Sequence, residues 1–196
     1  MDTLNFKRQA ISLLNNKELL LTKRQLLQQL DDQLIALGAY SFQKLRKYDI
    51  KSPSPKLSRG ENYRGLPYRI IDYPRIFQPE HVFAFRTLFW WGNYVSCTLH
   101  LKGSFMNGNT FSMISSLPSE TTHNTYLSYS GDEWNHCVFD NNYQLLQATN
   151  LSSVDIKNCA FLKVSRLLHL EEINNLEAFY QEAIHSLLIP YLNGKH

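Results

Sequence analysis

No apolar run in this sequence approaches the roughly 18 residues that a membrane-spanning helix needs, so neither a span nor a membrane partner is expected. The opening stretch, MDTLNFKRQAISLLNNKELLL, interrupts its leucines with Asn15, Asn16, Lys17 and Glu18 and has no small-residue cleavage site. It does not read as a secretion signal. Cysteine is scarce: Cys97, Cys137 and Cys159 are widely spaced, odd in number and never form a CxxC pair. That pattern argues against a disulfide framework and makes a reducing cytoplasm the expected location. The strand-like neighbours of each cysteine suggest buried small hydrophobes rather than a catalytic thiol.

Catalytic signatures are missing too. The chain has no G-x-S-x-G, H-E-x-x-H or G-x-G-x-x-G. Gly103–Thr110, GSFMNGNT, has the glycine frame of a phosphate loop, but Asn109 stands where lysine is required and no helix is expected after it. Asp132, Glu133 and His136 crowd together in GDEWNH, as metal ligands or acid–base groups can. The GDE step is also ordinary turn chemistry. His81, His100, His123 and His169 lack ligand spacing with one another. No metal and no cofactor is therefore expected, and no internal repeat or low-complexity segment is visible.

What the chain does have is enough apolar matter for a core. Of its 196 residues 43% are hydrophobic and 13% aromatic, which fits one folded domain over residues 1–196. The first 47 residues read as helical. Thr22 is placed to cap LTKRQLLQQLDDQLIALG, with Gln25 completing a capping box and Gly38 at the end. Leu26, Leu27, Leu30, Leu34 and Leu37 form its apolar stripe. Shorter helices are expected around Phe6–Leu14 and Tyr40–Lys47. Residues 48–62, with alternating serine and proline, read as an extended connection.

From residue 63 to 168 the period falls to two. LPYRIIDYP, with Pro74 ending it, is a strand that puts Tyr68, Ile70 and Asp72 on one side. Val82–Leu101 reads as a hairpin, and SFMNGNTFSMISS, TYLSYS, NHCVF, YQLLQA and CAFLKVSRL read as further strands, with TNLSS among the turns between them. Residues 170–188 form a last amphipathic helix with Ile173, Leu176, Tyr180, Ile184 and Leu187 inward, stopped by Pro190. Short turns between strands require antiparallel pairing. The expected fold is α+β, a central antiparallel sheet packed by N-terminal helices and a C-terminal helix.

The hairpin carries the functional expectation. With Gly92-Asn93 as a two-residue turn, Trp91 pairs with Tyr94, Phe89 with Ser96, Thr87 with Thr98 and Phe85 with His100. Leu88, Trp90, Val95, Cys97, Leu99 and Leu101, with Arg86, then face the helices, and Arg86 needs a partner, for which Asp72 is suited. The other face carries Phe85, Thr87, Phe89, Trp91, Tyr94, Thr98 and His100 as a ligand site. Such a face is either covered, as a second small core, or a binding surface. The reading that follows is a small cytosolic binding or interaction domain for a small molecule or protein. The alternatives are a hydrolase-type enzyme with His100 and Glu133 or His136 in a cleft, and a single-stranded nucleic-acid binder. The last rests on the basic and aromatic segment from Arg64 to Trp91, and residues 44–86, with a net charge of +6 against −4 for residues 87–196, could attract an anionic partner.

Overall fold

The computed structural model describes residues 7–107, 109–148 and 158–194. Two helices come first, α1 (Arg8–Leu14) and α2 (Lys17–Lys44). Strands β1 (Lys56–Tyr63), β2 (Leu66–Phe77), β3 (Val82–Trp90) and β4 (Tyr94–Lys102) follow, then helix α3 (Asn109–Ser115). Strands β5 (Thr125–Ser128), β6 (Gln144–Leu145) and β7 (Phe161–His169) complete the sheet. The C-terminal helix has an α segment Leu176–Ala183, a π turn Ile184–Leu188 and a last α segment Ile189–Asn193. The seven strands of the described residues lie in one sheet of order β1-β2-β3-β4-β7-β5-β6, and each pairing among them is antiparallel. The α+β class read from the sequence is the observed one.

Several boundaries differ, each for a local reason. Helix α2 begins five residues before Thr22, because the Asn16 side chain accepts from the Leu19 N–H at 2.9 Å and supplies the cap. Gly38 does not end the helix. It lies inside α2, where an added Cβ would come within 2.9 Å of Ile71 Cδ1 and 3.0 Å of Pro55 Cβ. Glycine is there to let the helix approach the sheet. The separate helix expected near Tyr40 is the end of α2 followed by a 3₁₀ turn at Arg46–Tyr48. The second half of the extended connection pairs as β1.

Pro74 does not end β2. The ladder shifts register between Asp72 and Arg75 and continues to Phe77, so a bulge takes up the residue that cannot donate. SFMNGNTFSMISS forms a 3₁₀ turn and α3, not a strand. NHCVF is a succession of turns and loop, and only Gln144–Leu145 of YQLLQA pairs. TNLSS lies outside the described residues. Pro190 sits in the first turn of the last α segment, where its missing N–H is tolerated, so the helix runs on past it.

The main core lies between the sheet and one helix layer. Leu30, Leu34 and Leu37 of α2 and Tyr180, Ile184 and Leu187 of the C-terminal helix pack there against Phe85, Leu99 and Val164. Tyr180 and Ser41 tie the two helices through a buried hydroxyl–hydroxyl bond. Asp31, buried on α2, accepts from Arg69 Nε at 3.0 Å and Arg59 Nε at 2.8 Å and so fixes α2 to β1 and β2. The sheet's other face has a smaller core of its own, built from Ile70, Leu88, Trp90, Tyr94 and Leu167 with Cys137, Val138 and Tyr143.

Candidate functional site

The two faces of the hairpin are not those expected. Its loop has three residues, Trp91, Gly92 and Asn93, with Gly92 at φ 72. Trp90 therefore pairs with Tyr94, Phe89 with Val95, Thr87 with Cys97, Arg86 with Thr98 and Ala84 with His100. The one-residue change of register carries all of β4 to the opposite face. The expected ligand set is thereby divided. Phe85, Thr87 and Phe89 turn toward the helices, and Phe85 and Phe89 belong to the main core. Tyr94, Thr98 and His100 stand on the far side, with Arg86, Leu88 and Trp90. Trp91 has left the strand for the turn. The expected set does not come together as one surface: Val95, Cys97, Leu99 and Leu101 of β4 face the helix layer as expected, but on β3 that layer covers Phe85, Thr87 and Phe89 in place of Arg86, Leu88 and Trp90.

The far face is closed by the chain from Tyr129 to Tyr143, a cap of turns. Asn135 is its hub. The Asn135 carbonyl accepts from Tyr143 Oη at 3.0 Å and from Lys163 Nζ. Its side chain donates to Asp140 at 2.7 Å and Asn142 at 2.8 Å and accepts from the Cys137 N–H at 2.9 Å. Tyr94 Oη donates to the His136 carbonyl at 2.9 Å and accepts from the Val138 N–H at 3.0 Å. Arg64 holds Asp140 from outside. A sequence of turn residues thus becomes an ordered lid, because its backbone polar groups are met by buried tyrosines and a lysine.

Beneath the cap lies a charged cluster. Arg86 makes a bidentate pair with Asp72, Nε to Oδ1 at 2.8 Å and Nη2 to Oδ2 at 3.0 Å, the partner expected from the sequence. Its Nη1 lies 3.0 Å from His136 Nε2. A guanidinium can only donate, so this nitrogen accepts and His136 is neutral. Lys102 Nζ meets Glu133 at 3.1 Å. His100 packs edge-on against Trp134 and Phe161, and its Nε2 is buried with no hydrogen-bond partner among the described residues. Burial, with Lys163, Arg86 and Lys102 nearby, pushes the His100 imidazolium down to about 3. Burial and the same cations of Lys163 and Arg86 hold His136 far below the usual histidine range. Burial and Arg86 bring the Lys163 ammonium down to about 7, against the pull of Asp132 and Glu133.

His100 and His136 do converge, but not with a carboxylate as base. Glu133 is held by Lys102, and Asp72 by Arg86. Neither the apolar cleft at the hairpin's end nor the recess on the outer side of the cap is walled by His100, Glu133 or His136. The described residues contain no group of three or more His, Cys, Asp or Glu placed to hold a metal ion. No described helix is long and apolar enough to cross a membrane.

An apolar cleft of 510 Å³ opens on the other side of the sheet at the hairpin's end. Leu26, Gln29, Leu30 and Gln33 of α2 form one wall. Phe89, Trp91 and Gly92 form the floor, and Leu170, Ile173 and Asn174 the second wall. Phe89 and Trp91 meet edge to face, centroids 6.1 Å apart. The lining is aliphatic and aromatic, with two glutamines and an asparagine at the edges, a composition typical of ligand clefts. The wall residues Leu170, Ile173 and Asn174 carried no sequence signal for a site, because the stretch reads simply as the start of an amphipathic helix. Leu26 and Leu30 did belong to the α2 stripe, which suggests core rather than cleft.

Four of the ten basic residues of the 44–86 stretch are paired with carboxylates. Arg59 and Arg69 pair with Asp31, Arg64 with Asp140 and Arg86 with Asp72, while Arg75 donates to the Ser54 carbonyl. Comparison with known proteins adds no relative: no family model, curated protein or solved structure matches the chain.

Proposed function

We propose that this chain is a binding or interaction domain whose recognition surface is the apolar cleft between α2, the hairpin end and residues 170–174. The observation that carries this reading is the cleft's lining. It brings Phe89 and Trp91, two of the aromatics expected to bind, together with Leu26, Leu30, Leu170 and Ile173 around 510 Å³ of space. Residues Tyr94, Thr98 and His100 are spent on the capped face and take no part. The guest is an apolar group with few hydrogen-bonding demands, because Gln29, Gln33 and Asn174 are the polar side chains within reach. The buried thiols Cys97 and Cys137 suit a reducing, cytosolic setting.

An enzyme built on His100 with Glu133 or His136 has less support, since those groups are covered and already paired with cations or held neutral. A single-stranded nucleic-acid binder has less again, since Tyr73, Phe83, Phe85, Phe89 and Trp90 are buried and Arg64, Arg69, Arg75 and Arg86 are engaged.

The test is titration of the protein with an environment-sensitive apolar dye, followed by dye emission and tryptophan fluorescence. In protein dilute enough to leave the cleft open, dye should bind in a manner insensitive to salt, and Trp91→Ala should weaken it by roughly tenfold, about 1.4 kcal/mol. Equal binding by wild type and Trp91→Ala in that dilute protein removes the cleft as the site.

A further inference from the structure

The apolar surface of this molecule is concentrated at its N-terminal end. Seven of the thirteen exposed large hydrophobics among the described residues, Ile11, Leu13, Leu14, Leu19, Leu20, Leu21 and Leu26, fall within sixteen positions. Leu19, Leu20 and Leu26 stand seven and four residues apart from Leu26, Leu27 and Leu30 and so extend the stripe that Leu30, Leu34 and Leu37 bury against the sheet. The stripe is buried where α2 lies on the body and bare where it projects beyond it. The cleft lies where the two halves meet, with Leu26 and Leu30 in its wall.

We propose that the occupant of this cleft is helix α1 of a second copy of this chain, delivered by antiparallel pairing of the two projecting halves of α2. The proposal rests on the cleft being a recognition surface, and names its partner. Three observations carry it. First, α1 has exposed Ile11, Leu13 and Leu14, an apolar guest of the kind the cleft accepts. Second, α1 cannot lie along the cleft of its own chain. It is tied to Lys17, and with a rise of about 1.5 Å per residue Leu26 and Gln33 stand about 14 and 24 Å further along α2, whereas α1 spans only about 10 Å. Folded back, it would stop short of the cleft. In an antiparallel pair, the second copy's α1 runs past the projecting half and arrives there. Third, the charges match. Exposed Lys7 and Arg8 stand at the start of α1, and exposed Glu171 and Glu172 lie in sequence between Leu170 and Ile173, which line the cleft's far wall. The arrangement is two-fold and self-complementary, so one pairing covers both bare stripes and fills both clefts.

Sedimentation equilibrium of the full chain over a wide concentration range tests this. Wild type should be a dimer. Leu13→Glu with Leu14→Glu changes two exposed residues, so the fold should survive, as circular dichroism and the melting transition will show, while association weakens by roughly tenfold or more. Glu171→Lys with Glu172→Lys should weaken it too, and adding Lys7→Glu with Arg8→Glu to that chain should restore it. A monomer at all concentrations overturns the proposal, as does a dimer indifferent to the Leu13 and Leu14 changes or a charge reversal that is not rescued. Dye titration separates the two readings. A monomeric chain that still binds dye through Trp91 keeps the cleft and loses the dimer. A dimer whose Leu13→Glu, Leu14→Glu variant gains no Trp91-dependent dye binding loses the cleft as a general apolar site.

Discussion

At the residue scale the molecule is decided by charges taken out of water. Arg86 sits on a mainly apolar strand, and a buried cation there must find an anion. Asp72 occupies the matching face of β2, directly across the ladder. That pair was legible before any coordinates, because alternation on each strand fixes the side to which each residue points. Arg86→Ala should lower stability by about 3–5 kcal/mol, since it leaves the Asp72 carboxylate, 8% exposed, without its partner. A double-mutant cycle with Asp72→Asn measured by urea denaturation checks it, and additive effects would show that the two groups do not support each other. Lys163 and His136 were not legible in the same way. What they touch depends on the cap, and the cap is a string of turns without a period to read. His100 was named from its strand, but its neighbours Trp134 and Lys163 come from elsewhere in the chain.

At the element scale the sequence signals were right in kind and wrong in placement. Thr22 with Gln25 forms a correct capping box by spacing, yet Asn16 starts the helix. An N-cap signal cannot compete with an uninterrupted run of good helix formers preceding it, and Lys17–Leu21 is such a run. Gly38 was read as an end because glycine so often ends helices. Its reason here is the nearness of Ile71 and Pro55, a tertiary fact. The hairpin shows how one residue decides a face: a turn of three in place of two parted Phe85 from His100, sending Phe85 to the helix side while His100 stayed on the far side, with the alternation of each strand intact. The cap assignment has a direct consequence. Asn16→Ala should cost about 0.5–2 kcal/mol of local helix stability, seen as faster amide hydrogen exchange at Leu19 with little change in the global midpoint, because that end of α2 projects from the body. Thr22→Ala should leave the same amide unaffected or slightly better protected, as alanine is the stronger helix former. Equal effects of the two substitutions would place the helix start elsewhere.

For the whole molecule, the capped face sets the dependence on pH. An ordinary histidine titrates near 6.5, whereas His100 is pushed down to about 3 by burial first and by Lys163, Arg86 and Lys102 second. His136 is displaced in the same direction by burial and by Lys163 and Arg86, and its Nε2 already accepts from Arg86. Above pH 6.5 both rings are neutral whether the chain is folded or not, and they contribute no slope. Below it the unfolded chain takes up protons that the folded chain refuses. Stability must then fall with falling pH, by about 1.4 kcal/mol per pH unit for each ring, until the folded-state values are reached. Lys163 adds a second window. Its folded value of about 7 lies below the ordinary 10.5, so the unfolded chain holds the extra proton between those limits, and stability is lost as pH falls from 10.5 to 7. Above that range the buried hydroxyls of Tyr94, Tyr143 and Tyr180 resist the ionisation that unfolding would allow, which reverses the trend. The stability maximum should therefore lie on the alkaline side of neutrality. Between pH 6.5 and 5 the two histidines together should remove about 4 kcal/mol, a large part of the 5–15 kcal/mol that holds a typical domain together. Urea midpoints measured from pH 4.5 to 9.5 test this, with His136→Gln expected to flatten the acidic limb by about half while leaving the Lys163 limb in place. Wild-type and variant curves that run parallel below pH 6.5 would mean that the cap already admits water and protons to the face it covers.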